Sequence, residues 1–304
     1  MKRVLVLMST YNGEKYLREQ LDSLFSQKDV DMTLLVRDDG SSDGTISVLE
    51  EYCIMYPSKM KIIRGANCGC KDSFLLLMKE AVKSYPEYDY YAFSDQDDIW
   101  LDDKLISGVN ALDKEKNPIK LYYCDPQFVD EDLNTLDIKP IPARNTLEES
   151  FILQPCIGCG MIFSPSVLKN GAKADSTMIN IHDAWIYRVT LALGGTILKD
   201  INPHILYRQH SSNVIGYNQS LRGRWKRRLK LFIDAECWRS KQAVELLRLY
   251  DEMIPEKEER VLMQMVSYKS SLLRKFNIIR NIRFRSLKPF HNVMFYIGIC
   301  FGKI

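Results

Sequence analysis

Over its first hundred residues this chain alternates short apolar, β-prone runs with amphipathic helical stretches, a rhythm that leaves few folds open to it. Arg3 to Met8 reads as a buried strand, and Glu14 to Phe25 as a helix with Tyr16, Leu17, Leu21, Leu24 and Phe25 on one face. Met32 to Val36 is the next strand, followed by a helix at Gly44 to Tyr56, a strand at Met60 to Ile63, a helix at Asp72 to Val82 and a strand at Tyr88 to Phe93. Successive strands with a helix between them cannot pair as tight hairpins, so the expected class is α/β: a mainly parallel sheet flanked by helices on both faces. Past residue 102 the pattern thins to a helix near Asp102 to Leu112, strands at Leu121 to Cys124 and Gly158 to Phe163, a helix at Asp183 to Leu193, and strands at Thr196 to Leu198 and Ile205 to Tyr207. After Leu221 the composition turns helical. A boundary is therefore expected near residues 215 to 222, dividing a catalytic domain (1–220) from a basic helical C-terminal region (221–304).

In parallel sheets, ligands gather at the carboxyl ends of the strands, and polar motifs stand at three of those ends. Ser9-Thr10-Tyr11-Asn12-Gly13-Glu14 follows the first strand, Asp38-Asp39-Gly40-Ser41-Ser42-Asp43-Gly44 the second, and Ser94-Asp95-Gln96-Asp97-Asp98-Ile99-Trp100 the fourth. Three carboxylates in four positions at the end of a buried strand repel one another, and a divalent cation with hard oxygen ligands is the usual remedy. The plainer alternative is a surface turn in which Asp98 caps the next helix. Asp95 and Asp97 suit a Mg²⁺ or Mn²⁺ that bridges substrate phosphates and offsets charge on a departing diphosphate. Asp38 or Asp39 can accept the imide N–H of uracil or thymine, with Thr10 and Tyr11 flanking the base and Asn12 and Glu14 completing the donor-binding loop.

Such chemistry needs a base for the incoming nucleophile. His182-Asp183-Ala184-Trp185 opens a helix, where the N-terminal dipole favours an ionised Asp183. Trp185 would wall its pocket and, with His182, face the acceptor, while simple N-capping is the competing role for Asp183. In Tyr207-Arg208-Gln209-His210, His210 is a candidate metal ligand and Arg208 a candidate phosphate contact.

The net charge of +3 hides a strong asymmetry. Residues 1–221 hold 23 Lys/Arg against 31 Asp/Glu, whereas residues 222–304 hold 19 against 8, with no acidic residue after Glu259. A basic segment on an acidic body points to a polyanion, either nucleic acid or the anionic face of a membrane. Eight cysteines scattered through apolar segments, with no signal-peptide pattern ahead of them, read as reduced cytosolic thiols. Cys156-Ile157-Gly158-Cys159 lacks the second pair that a zinc site requires. No run reaches the ~18 apolar residues of a membrane span. The expected location is the cytoplasm, with a peripheral place on the inner face of the plasma membrane as the variant suggested by the basic segment.

Met8 to Glu14, Arg37 to Gly44, Ser94 to Leu101, His182 to Trp185 and Tyr207 to Gly216, in that order, resemble a bacterial family-2 glycosyltransferase of the GT-A (Rossmann-like) fold. The nearest resemblance is to the rhamnosyltransferase-like branch that builds cell-wall and capsular polysaccharides. It covers about residues 3 to 216 and implies an inverting enzyme that takes a sugar from a nucleotide-diphosphate donor, first dTDP-rhamnose, otherwise a UDP-hexose or UDP-galactofuranose. It implies Thr10, Tyr11 and Asp39 (or Asp38) at the nucleoside, Asp95, Asp97 and His210 at the metal, and Asp183 as general base toward a saccharide or lipid-linked acceptor. Cys159 and Gly160 depart from the bulkier or hydroxylated residues expected near the acceptor. A nucleotidyltransferase is the alternative enzyme class, but the Ser9 to Glu14 loop has no basic residue to clamp a triphosphate. Outside the resemblance, the basic stretches around Trp225 and from Arg274 to Lys288 suit an anionic membrane surface, with homodimerisation through the same helices as the competing reading, and nucleic acid is not an expected partner.

Overall fold

Five consecutive apolar residues, Val4 to Met8, form the middle of β1 (Lys2–Thr10), and the pleat sends them alternately to opposite faces. The computed structural model describes residues 1–210 and 237–304. Val4, Val6 and Met8 pack with Leu17, Leu21 and Leu24 of α1 (Glu14–Phe25), Val48 and Leu49 of α2 (Thr45–Met55) and Leu105 of α4 (Lys104–Lys114). Leu5 and Leu7 face the other layer, which holds α3 (Cys70–Ser84), α5 (Leu147–Ser150), α6 (Pro165–Gly171) and α7 (His182–Ala192). Each such fully buried side chain contributes about 1.5–3 kcal/mol, which is why the strand reads as continuously apolar rather than alternating.

The seven-stranded sheet runs β3-β2-β1-β4-β8-β6-β9. Here β2 is Val30–Asp38, β3 Met60–Arg64, β4 Tyr90–Ser94, β6 Lys120–Cys124, β8 Met161–Phe163 and β9 Thr196–Asp200. All neighbours are parallel except β8, which is antiparallel to both β4 and β6. The α/β class read from the sequence is thus the observed one. A second sheet, β5 (Ile99–Trp100), β10 (Ile205–Arg208) and β7 (Gln127–Val129), was not legible as such. Its pairing of β10 with β5 carries Arg208 and His210 across to the acidic motif. The strand expected at Gly158 to Phe163 begins with a 3₁₀ turn, Gly158–Gly160, and only Met161–Phe163 pairs.

Four helices close the chain: α8 (Trp238–Tyr250), α9 (Glu256–Ser267), α10 (Leu272–Arg280) and α11 (Pro289–Phe301). Leu246, Leu262, Met265, Phe295 and Ile299 from this region belong to the same apolar cluster as Trp185 and Phe93. Arg188 of α7 is buried, donating to the Ser150 carbonyl at 2.7 Å and to the Gln242 side chain of α8. The boundary expected at residues 215 to 222 and the basic cluster around Trp225 lie outside the described residues. Among the described residues, no helix is long and apolar enough to cross a membrane.

Candidate active site

β1 and β2 end side by side, with Thr10 opposite Asp38, so the two polar loops beyond them are neighbours. Thr10 Oγ1 donates to Asp38 Oδ1 at 3.0 Å, and the backbone N–H groups of Gly40 and Ser41 donate to Asp38 Oδ2 at 3.1 and 2.9 Å. Ser41 Oγ adds a fourth donor at 2.5 Å. Asp38 therefore closes its own turn, and Gly40, at φ +82°, supplies the left-handed residue that the turn needs. Asp39 is ion-paired with Arg37 and accepts N–H groups from Cys68 (2.9 Å) and Gly69 (2.8 Å). Burial alone would raise its carboxyl, but the Arg37 guanidinium and the donors of Cys68 and Gly69 outweigh it and hold the group below the usual carboxylate range. Of the two acids, Asp39 keeps an oxygen, Oδ2, with a single donor among the described residues.

Tyr11 is half exposed, and its backbone N–H and C=O are both held by the Gln96 amide, at 2.8 and 3.1 Å. That tie between the first loop and the acidic motif was not read from the sequence. Asn12 and Glu14, expected to bind donor, instead brace the loops. Asn12 Oδ1 accepts the Ser42 N–H at 2.8 Å, and the Glu14 carboxylate accepts the Gly44 N–H at 2.8 Å, satisfying an amide at the start of α2.

The acidic motif begins as β4 ends. Burial, reinforced by the charges of Asp97 and Asp183, pushes the Asp95 carboxyl up to about 7. Asp97 Oδ2 lies 2.8 Å from His210 Nε2, and the His210 ring leans on Tyr16 at 5.1 Å. Asp98 does not cap a helix, the plainer alternative for the motif, because α4 starts only at Lys104. Asp98 is fully buried, takes the Arg208 N–H at 3.2 Å, and has its carboxyl raised well above the usual range by burial and by Asp97 and Asp95. Ligand atoms of Asp95, Asp98 and Cys159 lie within 4.8 Å of one another. Burial and the nearby Asp98 and Asp95 keep the Cys159 thiol protonated, so it is a poor ligand for a hard cation. The carboxylate oxygens of Asp95 and Asp98, crowded enough to raise their affinity for positive charge, fit a divalent cation, whereas the expected set of Asp95, Asp97 and His210 is not gathered within the same distance among the described residues.

The Arg208 side chain, expected at a phosphate, is engaged within the protein. Its guanidinium donates to the backbone carbonyls of Asp97 (3.0 Å) and Glu131 (2.6 Å), pairs with Glu19 and covers the Tyr16 ring at 4.5 Å. Its donors are spent on fixing the acidic turn against α1.

On α7, Asp183 is 7% exposed, and a Cβ built on Gly158 would stand 3.8 Å from its Oδ2. The 3₁₀ turn at Gly158–Gly160 therefore lies directly against the base candidate. Trp185, expected to line the acceptor pocket, is fully buried and donates Nε1–H to the Gly171 carbonyl at 2.9 Å. Residues two apart on a helix point to different sides, so the face that shows Asp183 to the site must turn Trp185 into the core. His182, also expected on the acceptor side, stacks on Phe74 at 3.8 Å and meets Phe93 edge-on at 4.8 Å, and neither ring nitrogen has a partner among the described residues.

Burial pushes His182 down from 6.5 to about 4, only partly countered by the charge of Asp183. Between those pH values the unfolded chain binds a proton that the folded chain refuses, so stability contributed by this site is lost as pH falls through that window, by about 3 kcal/mol in all. His182→Phe keeps the stacked ring without the titration. Chemical denaturation at several pH values should show the wild-type-minus-variant difference sloping between pH 6.5 and about 4. A flat difference would show that the imidazole titrates normally.

Cys70, at the start of α3, was also missed. Desolvation among its neighbours and the charges of Asp95, Asp183, Asp39 and Asp97 push its thiol up to about 12. The four carboxylates thus act on one point, although they come from three separate segments: the turn after β2, the turn after β4 and the start of α7. The Gly69-Cys70 step after β3 was the available signal, since Gly69 has a φ of +84°.

The chain matches the family model described as Glycosyl transferase family 2 over residues 5–191. It is similar to the dTDP-rhamnosyl transferase RfbG of Shigella flexneri, at 31% identity over 238 residues, covering 72% of this chain and 77% of that protein. An uncharacterized glycosyltransferase of Rickettsia typhi, RT0329, is 24% identical over 186 residues, 59% of this chain and 56% of that one. Among solved structures, S. aureus TarS 1–349 in complex with UDP-GlcNAc superposes with a TM-score of 0.56 at 18% identity, over 93% of this chain and 78% of that one. The mannosyltransferase PcManGT of Pyrobaculum calidifontis, in complex with GDP-Man and Mn²⁺, gives 0.53 at 15% identity, over 99% and 76%. At these identities the structural likeness shows the fold alone.

Proposed function

Because the chain belongs to glycosyl transferase family 2, we propose that it transfers one sugar, with inversion, from a nucleotide-diphosphate donor to a saccharide or lipid-linked saccharide in polysaccharide synthesis. The observation that carries this reading is the convergence of Asp95, Asp97 and Asp183: the charges of the latter two both bear on Asp95 at the end of β4. One group of carboxylates suits a cation and a diphosphate, and the other a hydroxyl to be deprotonated. L-rhamnose from dTDP-rhamnose is the first donor to test, as the likeness to RfbG supports it. The catalytic part is assigned to residues 1–220, with the C-terminal helices as its support.

In this reading Asp39 Oδ2 accepts the imide N–H of the base, and Tyr11, held by Gln96, lies along it. Thr10 acts indirectly by fixing Asp38. Asp95 and Asp97, with His210 paired to Asp97, would hold Mg²⁺ or Mn²⁺, which would supply positive charge against the leaving diphosphate. Asp183 takes the proton of the acceptor hydroxyl while that oxygen forms its bond to the anomeric carbon from the face opposite the diphosphate. The bond from the anomeric carbon to the diphosphate oxygen breaks, and its electron pair leaves with the nucleotide.

A panel of nucleotide sugars with Mn²⁺ tests the donor, since a ligand bound to the native state raises the melting temperature with its affinity. dTDP-rhamnose should raise it, by about 2.7 kcal/mol of stability at a hundredfold excess over Kd. A rise with a UDP-hexose, UDP-galactofuranose or GDP-mannose and none with dTDP-rhamnose would reassign the donor. Pyrophosphate release from a nucleoside triphosphate without sugar transfer would favour a nucleotidyltransferase.

A further inference from the structure

The last two helices leave an apolar face in solvent. On α10, Leu272, Leu273 and Phe276 are 83%, 68% and 52% exposed; Ile282, between the helices, is 69% exposed; and Val293 and Ile297 of α11, one turn apart, are also exposed. The opposite sides of the same helices bury Ile278, Phe295 and Ile299 in the core. Both helices are thus apolar on two sides, whereas a surface helix needs only one. A groove lined by Leu272, Phe276, Ile279 and Cys300 joins the two exposed stripes, so they form one patch rather than scattered side chains. Contiguous patches of this kind mark interaction surfaces.

Charge identifies the occupant. Lys275 lines the groove, and Arg280 lies over the Phe276 ring at 5.3 Å. Arg285 and Lys288 follow, and residues 272–304 contain seven Lys/Arg and no Asp/Glu. Two copies meeting through this face would bring two cationic rims together with no acid from either segment to offset them. An anionic bilayer offers the complement, with hydrocarbon for the apolar stripe and phosphates for the cations. We propose that the face built by α10, residues 281–288 and α11 docks on an anionic membrane surface.

The test is co-sedimentation of the full chain with vesicles of phosphatidylcholine alone, or with about one-third phosphatidylglycerol. The protein should partition onto the anionic vesicles only, and less so as salt rises. Arg280→Gln combined with Arg285→Gln should lower the partition coefficient about thirtyfold, at roughly fivefold per cation. Leu272→Ser with Phe276→Ser should weaken it as well. Stabilisation by nucleotide sugar should be unchanged in both pairs, which separates this surface from the donor site. Equal partitioning onto both vesicle types, or none onto either, overturns the proposal, and so does a dimer that the same substitutions dissociate. If a variant fails to fold, the wild-type comparison between the two vesicle compositions still decides.

Discussion

Asp183→Asn is expected to slow sugar transfer by about two to four orders of magnitude, the range that a positioned general base contributes. The substitution keeps shape and volume at a 7% exposed site beside Gly158. Its amide oxygen can still accept the Ala184 N–H that Asp183 Oδ1 takes at 2.6 Å. The fold should therefore survive, and stabilisation of the variant by donor with Mn²⁺ should match wild type, because the nucleotide contacts proposed are those of Asp39 and Tyr11. Removing a charge that helps raise Asp95 should also bring that carboxyl down from about 7. Steady-state kinetics against a saccharide acceptor should show the loss in kcat, with little change in the KM for donor. A variant that transfers sugar normally removes Asp183 from the chemistry, and one that loses donor binding together with its melting transition makes it structural.

The sheet and the ends of its first four strands were legible because β1, β2 and β4 are apolar on both faces and a helix separates each strand from the next. The antiparallel insertion of β8 between β4 and β6 was not, because strand order is set by pairings between distant segments that leave no local periodicity. Of the candidate site, Asp95, Asp97, His210 and Asp183 emerged as neighbours because their chemistry makes poor sense apart. The errors had a common origin. Trp185, His182, Arg208 and Glu14 were judged by chemical type beside a motif, whereas helix geometry, burial and the demand for backbone partners decide where a side chain points. Arg208 looked like a phosphate ligand, yet three backbone and carboxylate acceptors surround it. Gln96 was assigned no role, although its amide supplies both a donor and an acceptor to Tyr11.

Asp97→Asn separates metal-dependent binding from folding. In the protein without cation, the substitution relieves repulsion: Asp97 is a leading charge raising Asp95, and also Asp98. Asparagine can still accept from His210 Nε2, so the 2.8 Å contact need not be lost. The variant without ligand should thus be at least as stable as wild type near pH 7. With Mn²⁺ and donor the order reverses. Wild type gains the stabilisation of the bound complex, whereas the variant has given up a charged oxygen ligand and should show little shift in melting temperature. Transfer should fall on the order of a thousandfold, since a cation opposite the leaving diphosphate contributes several kcal/mol. Chelation of wild type with EDTA should reproduce that loss and leave the variant's residual rate untouched. If EDTA leaves wild-type transfer intact while Asp97→Asn abolishes it, Asp97 acts without a cation, and its tie to His210 becomes the feature that catalysis needs.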